Sequence, residues 1–367
     1  MSKKKRILYT IPNFDTAGSG KVVYDLVKGL DKSKFEVEVA CSSNRGAFFK
    51  EIEKLDVPIH IIQTTVSYRP YRSLFSRIKP IIRFLKTNDY DIVHSWHWSS
   101  DWTEVVATRL AGIKWVYTKK AMSWGNKHWK IRSFLAHFII TINDEMQSYF
   151  SYKNNQQLIP LGIDTDYYSP DLFPEKGGED KVFHIITVAN LVPVKGLEVL
   201  IKAINTLKDE TIQLTVLGDY ESEYGAYLQS LCKTFGIDKQ VIFIGKKPDV
   251  RPYLAAADLY VIPTLDKGRK EGMPMALIEA MSMGIPVLGS NISGIKFVLK
   301  DFKKLLFEAE NESVLAQSIY DIKKLKNSDR TLTGKKLRMF VVNNFNNKIF
   351  IEKHQKLYCN LIEKKTT

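Results

Sequence analysis

The sequence has no long apolar run and few cysteines. No stretch of about 18 uncharged apolar residues occurs, so no transmembrane helix is predicted. The basic N-terminus leads into a strand-like run without an A-x-A-like cleavage site, so we expect no signal peptide. Cys41, Cys232 and Cys359 are far apart and lack metal-ligand spacing. They indicate incidental thiols in a reducing compartment, and we expect a cytoplasmic protein.

Two nucleotide-binding fingerprints are incomplete in the segment DTAGSGKVVY, residues 15–24. A Walker motif requires glycine where Asp15 stands and a hydroxyl where Val22 stands. The dinucleotide fingerprint requires a third small residue where Val23 stands. The segment still predicts a glycine turn at a helix N-terminus, where free N–H groups and the helix dipole favour an anion. A tight turn without any ligand is the alternative.

Basic residues are in excess and are unevenly distributed. The formal net charge is +14, and the first 150 residues contain 24 basic against 14 acidic side chains. Residues 67–86 and 114–134 mix cations with aromatic and aliphatic side chains, a pattern that suits an anionic membrane surface. A solvated lysine-rich face is the alternative. We expect no nucleic-acid partner, because no helix-turn-helix, zinc-finger or RNP signature is present.

Strand-like and helical patterns alternate almost throughout the 367 residues, which predicts an α/β protein with two domains. The predicted organisation is an N-terminal, acceptor-binding Rossmann-like domain at 1–165, a linker at 166–180 rich in Pro, Gly and Asp, a second Rossmann-like domain at 181–345, and a helix at 346–367 returning towards the first domain. We expect two doubly wound domains facing each other across a cleft. Their ligands should then bind at the carboxyl ends of the strands.

The segment KEGMPMALIEAMSMGIPVLGS combines two glutamates with a helix start. Glu271 is predicted on a loop, where its carboxylate can accept sugar hydroxyls, and Glu279 more than one turn into the following helix, where it can hold a ribose. The backbone N–H groups around Gly272, Met273 and Pro274 would open towards an anion. Two solvent-exposed glutamates on an ordinary helix are the alternative.

In its context this segment resembles the retaining nucleotide-sugar glycosyltransferases of family 4, which have the GT-B fold. Further similar segments are VANLVPVKGLEVLIKAI, LTVLGDYE, VIFIGKKPDV, AAADLYVIPT, LIPLGIDTDYYSP and KLLFEAENESVLAQSI. The resemblance covers nearly the whole chain and is strongest over residues 158–325.

The resemblance implies roles for individual residues. Glu271 would contact the hydroxyls of the donor sugar and support its developing positive charge, and Glu279 would bind the nucleotide ribose. Lys195 would hold the diphosphate and neutralise the leaving group. Gly18 and the Ser19 amide would close over that diphosphate from the opposite domain. The implied donor is a nucleoside-diphosphate sugar, with no metal and no other cofactor.

Two positions depart from the family pattern. Asn190 stands where relatives commonly have an arginine, which removes one cation but keeps a hydrogen-bond donor. Lys120 stands in a T-K-K segment where many relatives have the histidine of a T-x-H segment. This lysine could stabilise the departing diphosphate, but it would not readily act as a base at neutral pH. A catalytic role for Lys120 and the absence of one both remain open.

The segment DIVHSWHWSSD supplies candidate acceptor contacts. His94, His97 and Trp98 are predicted to bind the acceptor, with Trp96 and Trp102 as further sugar-stacking candidates. Buried histidines with aromatic core filling are the alternative. A zinc site is not expected, because a third ligand at suitable spacing is missing.

The resemblance implies a metal-independent retaining glycosyltransferase of the hexosyltransferase type. The basic first domain suggests a lipid-linked or surface-polysaccharide acceptor and a peripheral position on the inner face of the cell membrane. The Asp-x-Asp at residues 164–166 raises a rival, a metal-dependent GT-A enzyme, which its place in a linker disfavours. A second rival is a non-catalytic, membrane-associated protein with a degenerate GT-B fold.

Overall fold

A computed structural model gives the structure of the protein and describes residues 3–15, 17–46, 48–122, 126–174, 182–268 and 271–363. The chain divides into two compact units. The N-terminal unit runs to Gly162 and also includes the chain from Asn347 onwards, and the C-terminal unit is Ile163–Asn346. Trp124 and residues 175–180 of the predicted linker lie outside the described residues.

The N-terminal unit contains a parallel seven-stranded sheet in the order β3-β2-β1-β4-β5-β6-β7. Its strands are β1 (Lys5–Ile11), β2 (Phe35–Cys41), β3 (Ile59–Ile61), β4 (Ile92–Ser95), β5 (Lys114–Lys119), β6 (Phe138–Thr141) and β7 (Gln156–Leu158). Its helices are α1 (Ala17–Gly29), α2 (Phe49–Glu53), α3 (Leu74–Thr87), α4 (Thr103–Leu110), α5 (His128–Leu135), α6 (Glu145–Ser148) and the final helix α14 (Asn347–Glu363).

The C-terminal unit contains a parallel six-stranded sheet in the order β10-β9-β8-β11-β12-β13. Its strands are β8 (Phe183–Val188), β9 (Ile212–Leu217), β10 (Val241–Gly245), β11 (Leu259–Ile262), β12 (Val287–Ser290) and β13 (Leu306–Phe307). Its helices are α7 (Leu197–Leu207), α8 (Glu223–Phe235), α9 (Arg251–Ala255), α10 (Met275–Ser282), α11 (Ser293–Val298), α12 (Glu312–Lys324) and α13 (Asn327–Asn344).

Both sheets have the strand order of a doubly wound fold, which confirms the predicted fold class. The chain reverses its direction of strand addition between β1 and β4 in the first sheet and between β8 and β11 in the second. In open parallel sheets, loops that leave neighbouring strands on opposite sides of such a switch point separate and form a crevice for ligands. We therefore expect ligand-binding residues in the segments that follow β1, β4, β8 and β11.

The glycines of the first βα connection are helical, which corrects the predicted glycine turn. Helix α1 begins at Ala17, so Gly18 and Gly20 lie in its first turn. A Cβ atom added at Gly18 would meet no heavy atom within 4 Å, whereas one at Gly20 would lie 3.1 Å from the Phe14 ring. Gly20 thus allows the strand end to pack against the helix, and Gly18 leaves the helix start uncovered.

The final helix completes the N-terminal unit. Helix α14 is buried along one face at Phe350, His354 and Leu357. Its Tyr358 is also buried, and the hydroxyl lies 3.0 Å from the Tyr9 hydroxyl of β1. Within the described residues, no helix is long and apolar enough to cross a membrane.

Helix α13 supports the helix that carries Glu279. A Cβ atom added at Gly334 of α13 would lie 1.7 Å from the Gly284 carbonyl oxygen, just after α10 ends. From the same helix, the Arg338 guanidinium donates to the carbonyls of Tyr168 at 2.9 Å and Ser282 at 2.6 Å. The close glycine contact and the arginine together hold α10 against the chain that enters the unit.

We expect Gly334→Ala to destabilise the C-terminal unit, because the added methyl group would force α13 away from α10. Overpacking of this kind costs about 1–3 kcal/mol, and for a unit of this size each kcal/mol lowers Tm by about 2–4 °C. Thermal unfolding of the two proteins measures the effect. Lys335→Ala changes the exposed neighbour on the same helix and serves as the control. Equal Tm values for the two variants would contradict this packing.

Candidate active site

An ion pair joins the segments that follow β8 and β11. The Lys195 Nζ atom lies 2.7 Å from Glu271 Oε2 and donates a hydrogen bond to it. The two side chains are 22% and 23% exposed, so the pair is partly removed from water but open to a ligand. The structure therefore brings together two residues that are 76 positions apart in the sequence and were both predicted to bind the donor.

A glycine in the left-handed conformation positions Lys195. The lysine ends a 3-10 turn, Pro193–Lys195, and Gly196 follows with φ of 65°. A Cβ atom at Gly196 would lie 2.2 Å from the Pro263 carbonyl oxygen, at the end of β11. The Leu265 amide also donates to the Val194 carbonyl at 2.9 Å. These contacts fix the lysine turn against the loop that leads to Glu271.

The Glu271 loop is held from the other side by α11. A Cβ atom at Gly294 would lie 2.6 Å from the Glu271 carbonyl oxygen and 2.7 Å from that of Gly272. Gly272, Met273 and Pro274 are buried, and Pro274 caps the start of α10. Because the first N–H groups of a helix lack intrahelical partners, this end of α10 presents donors next to the ion pair.

Glu279 lies one turn into α10 and is paired with a tyrosine that the sequence did not single out. The buried Tyr168 hydroxyl donates to the Glu279 carboxylate. Burial raises the pKa of Tyr168, and the charge of Glu279 raises it further, so the phenol stays protonated as a donor. The only sequence signal for this partner is its place in the family-like segment LIPLGIDTDYYSP, which does not show what it contacts.

Asn190 lies just after β8 with an exposed side chain. Its carbonyl oxygen accepts a hydrogen bond from the Val192 amide at 2.9 Å, which shapes the approach to the lysine turn. The side chain adds no charge at this position, so Lys195 supplies the positive charge of this turn.

In the N-terminal unit, Lys120 is held at the end of β5 by the segments that follow β1 and β4. Its Nζ atom donates to the Trp96 carbonyl at 2.5 Å and to Ser19 Oγ at 3.1 Å. The same ammonium lies 5.6 Å from the centre of the Trp96 ring and 5.4 Å from that of Trp98, within the range of cation–π attraction. Lys120 is thus fixed beside the start of α1, where Gly18 is exposed.

His94 is buried inside the unit, which corrects its predicted contact with an acceptor. Its Nδ1 lies 2.6 Å from the Tyr358 hydroxyl and its Nε2 lies 2.8 Å from Thr118 Oγ1. The side chain is fully buried, so both ring nitrogens are used internally. Burial lowers the pKa of His94, with smaller contributions from His354 and Lys120. The ring connects β4, β5 and α14 as a neutral hydrogen-bonding group.

His97 is also buried, at 4% exposure. Its Nε2 lies 3.0 Å from Thr64 Oγ1, which in turn donates to the buried Glu104 carboxylate at 2.7 Å. This buried network stabilises the loop that follows β4. The structure does not place His97 on the surface, so direct contact with an acceptor is not supported for it either.

The three tryptophans near this loop differ in exposure. Trp96 is fully buried, Trp102 is half-buried, and Trp98 is 37% exposed. Trp96 is therefore a core residue rather than a stacking surface for a sugar. Trp98 presents an open ring beside Lys120 and stays the candidate for acceptor contact.

Part of the second basic stretch is interior, which corrects its prediction as a membrane surface. Lys119 and Arg132 are 1% exposed, and Trp115 is fully buried. The Arg132 guanidinium donates to the Ser95 hydroxyl at 2.9 Å and also to the Ser99 carbonyl, at the two ends of the loop that carries Trp98. These cations stabilise the site from within instead of forming an outer face.

The Asp-x-Asp segment forms a turn. Asp164 Oδ1 accepts hydrogen bonds from the amides of Asp166 at 3.1 Å and Tyr167 at 2.9 Å. Across the described part of the chain, no group of three or more His, Cys, Asp or Glu side chains could hold a metal ion. Metal independence itself stays a prediction.

We expect His97 to stay neutral until strongly acidic pH. Burial lowers its pKa to about 4; the Glu104 carboxylate opposes this shift, and Arg132 and Lys120 add to it. NMR titration of the ring resonances, assigned with a His97→Asn variant, should give a midpoint near 4, against about 6.5 in the urea-unfolded chain.

Because the pKa of His97 is lower in the folded chain than in the unfolded chain, acid destabilises the folded protein. The unfolded chain takes up the proton first as the pH falls, so the stability contributed by neutral His97 is complete above about pH 6.5. Below that pH, the free energy of unfolding falls by about 1.4 kcal/mol per pH unit until the folded protein also takes up the proton near pH 4. A midpoint at or above 6 in the folded protein would contradict the buried network.

Two protein families match the chain in succession. "Glycosyltransferase Family 4" matches residues 16–167, and "Glycosyl transferases group 1" matches residues 170–338. The first match lies almost wholly in the N-terminal unit and the second lies in the C-terminal unit.

Curated relatives are bacterial glycosyltransferases, and several are named for the biosynthesis of colanic acid, capsular polysaccharide or amylovoran. The putative colanic acid biosynthesis glycosyltransferase WcaL of Escherichia coli is 30% identical over 52% of this chain, and the match spans only 47% of WcaL. The capsular polysaccharide biosynthesis glycosyltransferase CapH of Staphylococcus aureus is 26% identical over 83% of this chain and 86% of CapH. An Escherichia coli UDP-Gal:alpha-D-GlcNAc-diphosphoundecaprenol alpha-1,3-galactosyltransferase is 25% identical over 80% of this chain and 82% of its own length.

Solved structures share the fold at low sequence identity. A glycosyltransferase from Rickettsia africae superposes with a TM-score of 0.87 at 18% identity, covering 98% of this chain and 99% of that chain. Anabaena Alr3699/HepE, solved with UDP and glucose, gives a TM-score of 0.77 at 17% identity, covering 95% of this chain and 98% of its own. With the successive family matches and the two doubly wound sheets, these findings show that the chain belongs to the family 4-type glycosyltransferases with the GT-B fold.

Proposed function

We propose that the protein transfers a sugar from a nucleoside-diphosphate sugar to an acceptor hydroxyl, with retention of anomeric configuration and without a metal. The observation that carries the proposal is the Lys195–Glu271 ion pair, 2.7 Å long, next to the N-terminus of α10 at the switch point of the second sheet. A cation, helix N–H donors and a carboxylate at one place suit a ligand that carries both a diphosphate and sugar hydroxyls.

The donor can replace the contact between Lys195 and Glu271, because each of the two side chains has a partner in the donor. A diphosphate is a stronger partner for Lys195 than a single carboxylate, because it offers more negative charge and more acceptor oxygens. When Lys195 turns to the diphosphate, Glu271 is released to accept hydroxyl hydrogen bonds from the sugar. In the transition state its charge stabilises the oxocarbenium-like sugar, while Lys195 stabilises the departing phosphate.

Helix α10 would bind the nucleoside side of the donor. Glu279 can accept both hydroxyls of a ribose, and the hydrogen bond from Tyr168 restricts the rotation of its carboxylate beforehand. The N–H groups near Gly272, Met273 and Pro274 would contact the diphosphate, with Asn190 as a neutral donor after β8. HepE binds UDP and UDP-glucose, and one relative is named for UDP-Gal, so a uridine diphosphate sugar is our first donor for test.

In the N-terminal unit we assign Lys120 to charge stabilisation. Its ammonium is fixed by Ser19, the Trp96 carbonyl and two indole rings, so it can act on a developing negative charge without reorganising. The N–H groups of Gly18 and Ser19 in the first turn of α1 would serve as donors to a diphosphate.

The acceptor is proposed to be a saccharide of a lipid-linked or surface polysaccharide intermediate. The relatives' names refer to colanic acid, capsular polysaccharide and a diphosphoundecaprenol-linked sugar, which supports this class. The open face of Trp98 beside Lys120 suits a sugar ring, because C–H-rich faces of sugars pack on aromatic rings.

We expect Lys195→Met to weaken binding of a nucleoside diphosphate about 10- to 100-fold and to leave the corresponding monophosphate much less affected. A charged hydrogen bond is lost, and the Glu271 carboxylate is left unpaired beside the diphosphate. Isothermal titration of UDP and UMP with both proteins measures the difference.

Lys202→Met removes another cation of the same turn-and-helix segment and should leave both affinities unchanged. Equal weakening of monophosphate and diphosphate by Lys195→Met would place the lysine away from the diphosphate and contradict this assignment.

We expect transfer to continue in excess EDTA and to give a product with the donor's anomeric configuration. Lys195 and the start of α10 supply the positive potential that a metal would otherwise provide. The anomeric proton coupling in the product, formed on a diphosphate-lipid saccharide acceptor, reports the configuration by NMR. Loss of transfer in EDTA with recovery in Mn²⁺, or an inverted product, would overturn this part of the proposal.

A further inference from the structure

Helices α3, α4 and α5 form a layer on one side of the first sheet. Helix α4 packs between α3 and α5, and buried residues of α3 and α4 share a core with Leu8, Val93 and Trp115 of the sheet. Trp129 and Leu135 of α5 pack against the same core. The outer side of this layer is therefore a surface built from three neighbouring helices.

That outer side exposes large apolar side chains. Phe75 of α3 is 63% exposed, and Phe134 of α5 is 69% exposed. Leu110 at the end of α4, Ile131 of α5 and Tyr71 just before α3 are also exposed. Single exposed apolar residues are ordinary, but here they recur on each helix of one layer.

Within the three helices themselves, the exposed charge has one sign. The exposed cations on the three helices and the turns before them are Arg72, Lys79, Arg83, Lys86, Arg109, Lys127 and Lys130. Glu104 is the single acidic residue in the sequences of the three helices, and it is buried. The final helix α14 differs, because its lysines alternate with Glu352 and Glu363.

Helix α3 also borders a groove of about 430 Å³. Its lining includes Lys79 and Arg83 together with the apolar surface of Pro80 and Phe84. The guanidinium of Arg77 donates to carbonyls of the preceding loop, including that of Pro70 at 2.7 Å, so its two terminal nitrogens are hydrogen-bonded within the unit. The groove is thus lined by both cationic and apolar side chains.

We propose that the α3–α4–α5 layer docks on the surface of an anionic phospholipid bilayer. Lysine and arginine heads reach lipid phosphates while their stems and the aromatic rings enter the interface, which is the chemistry of peripheral membrane attachment. The same-sign charge on all three helices complements an anionic leaflet. A soluble polyanion would match the charge but would leave Phe75 and Phe134 exposed to water.

Co-sedimentation with vesicles tests the proposal on the full chain at about 0.1 M salt. Vesicles of phosphatidylglycerol and phosphatidylcholine in equal amounts should bind the protein, and pure phosphatidylcholine should bind it far less. Since each cation near such a surface contributes about fivefold, Lys79→Gln with Arg83→Gln should lower partitioning about 30-fold. Phe75→Ser should lower it about tenfold.

Matched controls are available in the C-terminal unit. Lys335 and Lys336 are both exposed on α13, so Lys335→Gln with Lys336→Gln removes the same charge. Met339, 64% exposed on the same helix, is the counterpart of Phe75 for a change to Ser. Both control variants should partition like the unchanged protein. In Phe75→Trp, but not in Met339→Trp, brominated lipids should quench the introduced tryptophan.

Each other outcome overturns the proposal. Absence of binding to anionic vesicles, or equal loss with the α13 variants, would show that this layer is not a docking surface. Binding to heparin as tight as to vesicles, with no effect of Phe75→Ser, would assign the surface to a soluble polyanion. The proposal does not depend on the donor chemistry, because nucleotide binding without lipid is measured separately and none of these variants touches the residues assigned to it.

Discussion

The Lys195–Glu271 ion pair depends on a close approach of backbone segments that only glycine allows. Gly196 sits against the Pro263 carbonyl, and Gly294 sits against the carbonyl of Glu271 itself. Any side chain at either position would push the two segments apart and open the 2.7 Å contact. A partly exposed pair of this kind contributes little to stability. Its role is to keep a cation and a carboxylate close together, so that a ligand with both an anionic part and hydroxyl groups can replace the contact.

The N-terminal unit uses buried polar groups for a similar purpose. Arg132 holds both ends of the loop after β4, and His94 connects the neighbouring strands to α14. A buried guanidinium is tolerated because its two terminal nitrogens donate to Ser99 and Ser95 and aromatic rings surround it, with the Tyr117 ring centre 4.5 Å away. The half-buried Lys120 and the exposed Trp98 are therefore supported by buried polar contacts. Substitution of buried residues such as Arg132 or His94 should therefore lower activity, although these residues do not contact a substrate.

Local patterns in the sequence predicted the alternation of strands and helices and the loop position of Glu271, because those features follow from periodicity and glycine placement. The role of Lys195 was predicted from the family resemblance instead. Exposure was harder to predict. Lys119 and Arg132 are charged but interior, because Lys119 lies over the Trp129 ring and Arg132 contacts the Tyr117 ring and the Ser95 hydroxyl. Tyr168 as the partner of Glu279 depends on a contact across more than a hundred positions, which no local pattern records. The basic character of residues 67–86, in contrast, is on the surface, because α3 buries only its apolar stripe.

A crystal structure with a bound uridine diphosphate sugar would show whether the donor replaces the Lys195–Glu271 ion pair. We expect the Lys195 Nζ atom to move from Glu271 to a diphosphate oxygen at about 2.8 Å, a usual length for a charged N–H···O hydrogen bond. Glu271 should then accept hydroxyls of the sugar, and Glu279 those of the ribose. If the donor binds with the Lys195–Glu271 contact unbroken and other residues hold its diphosphate, the ion pair does not have this role.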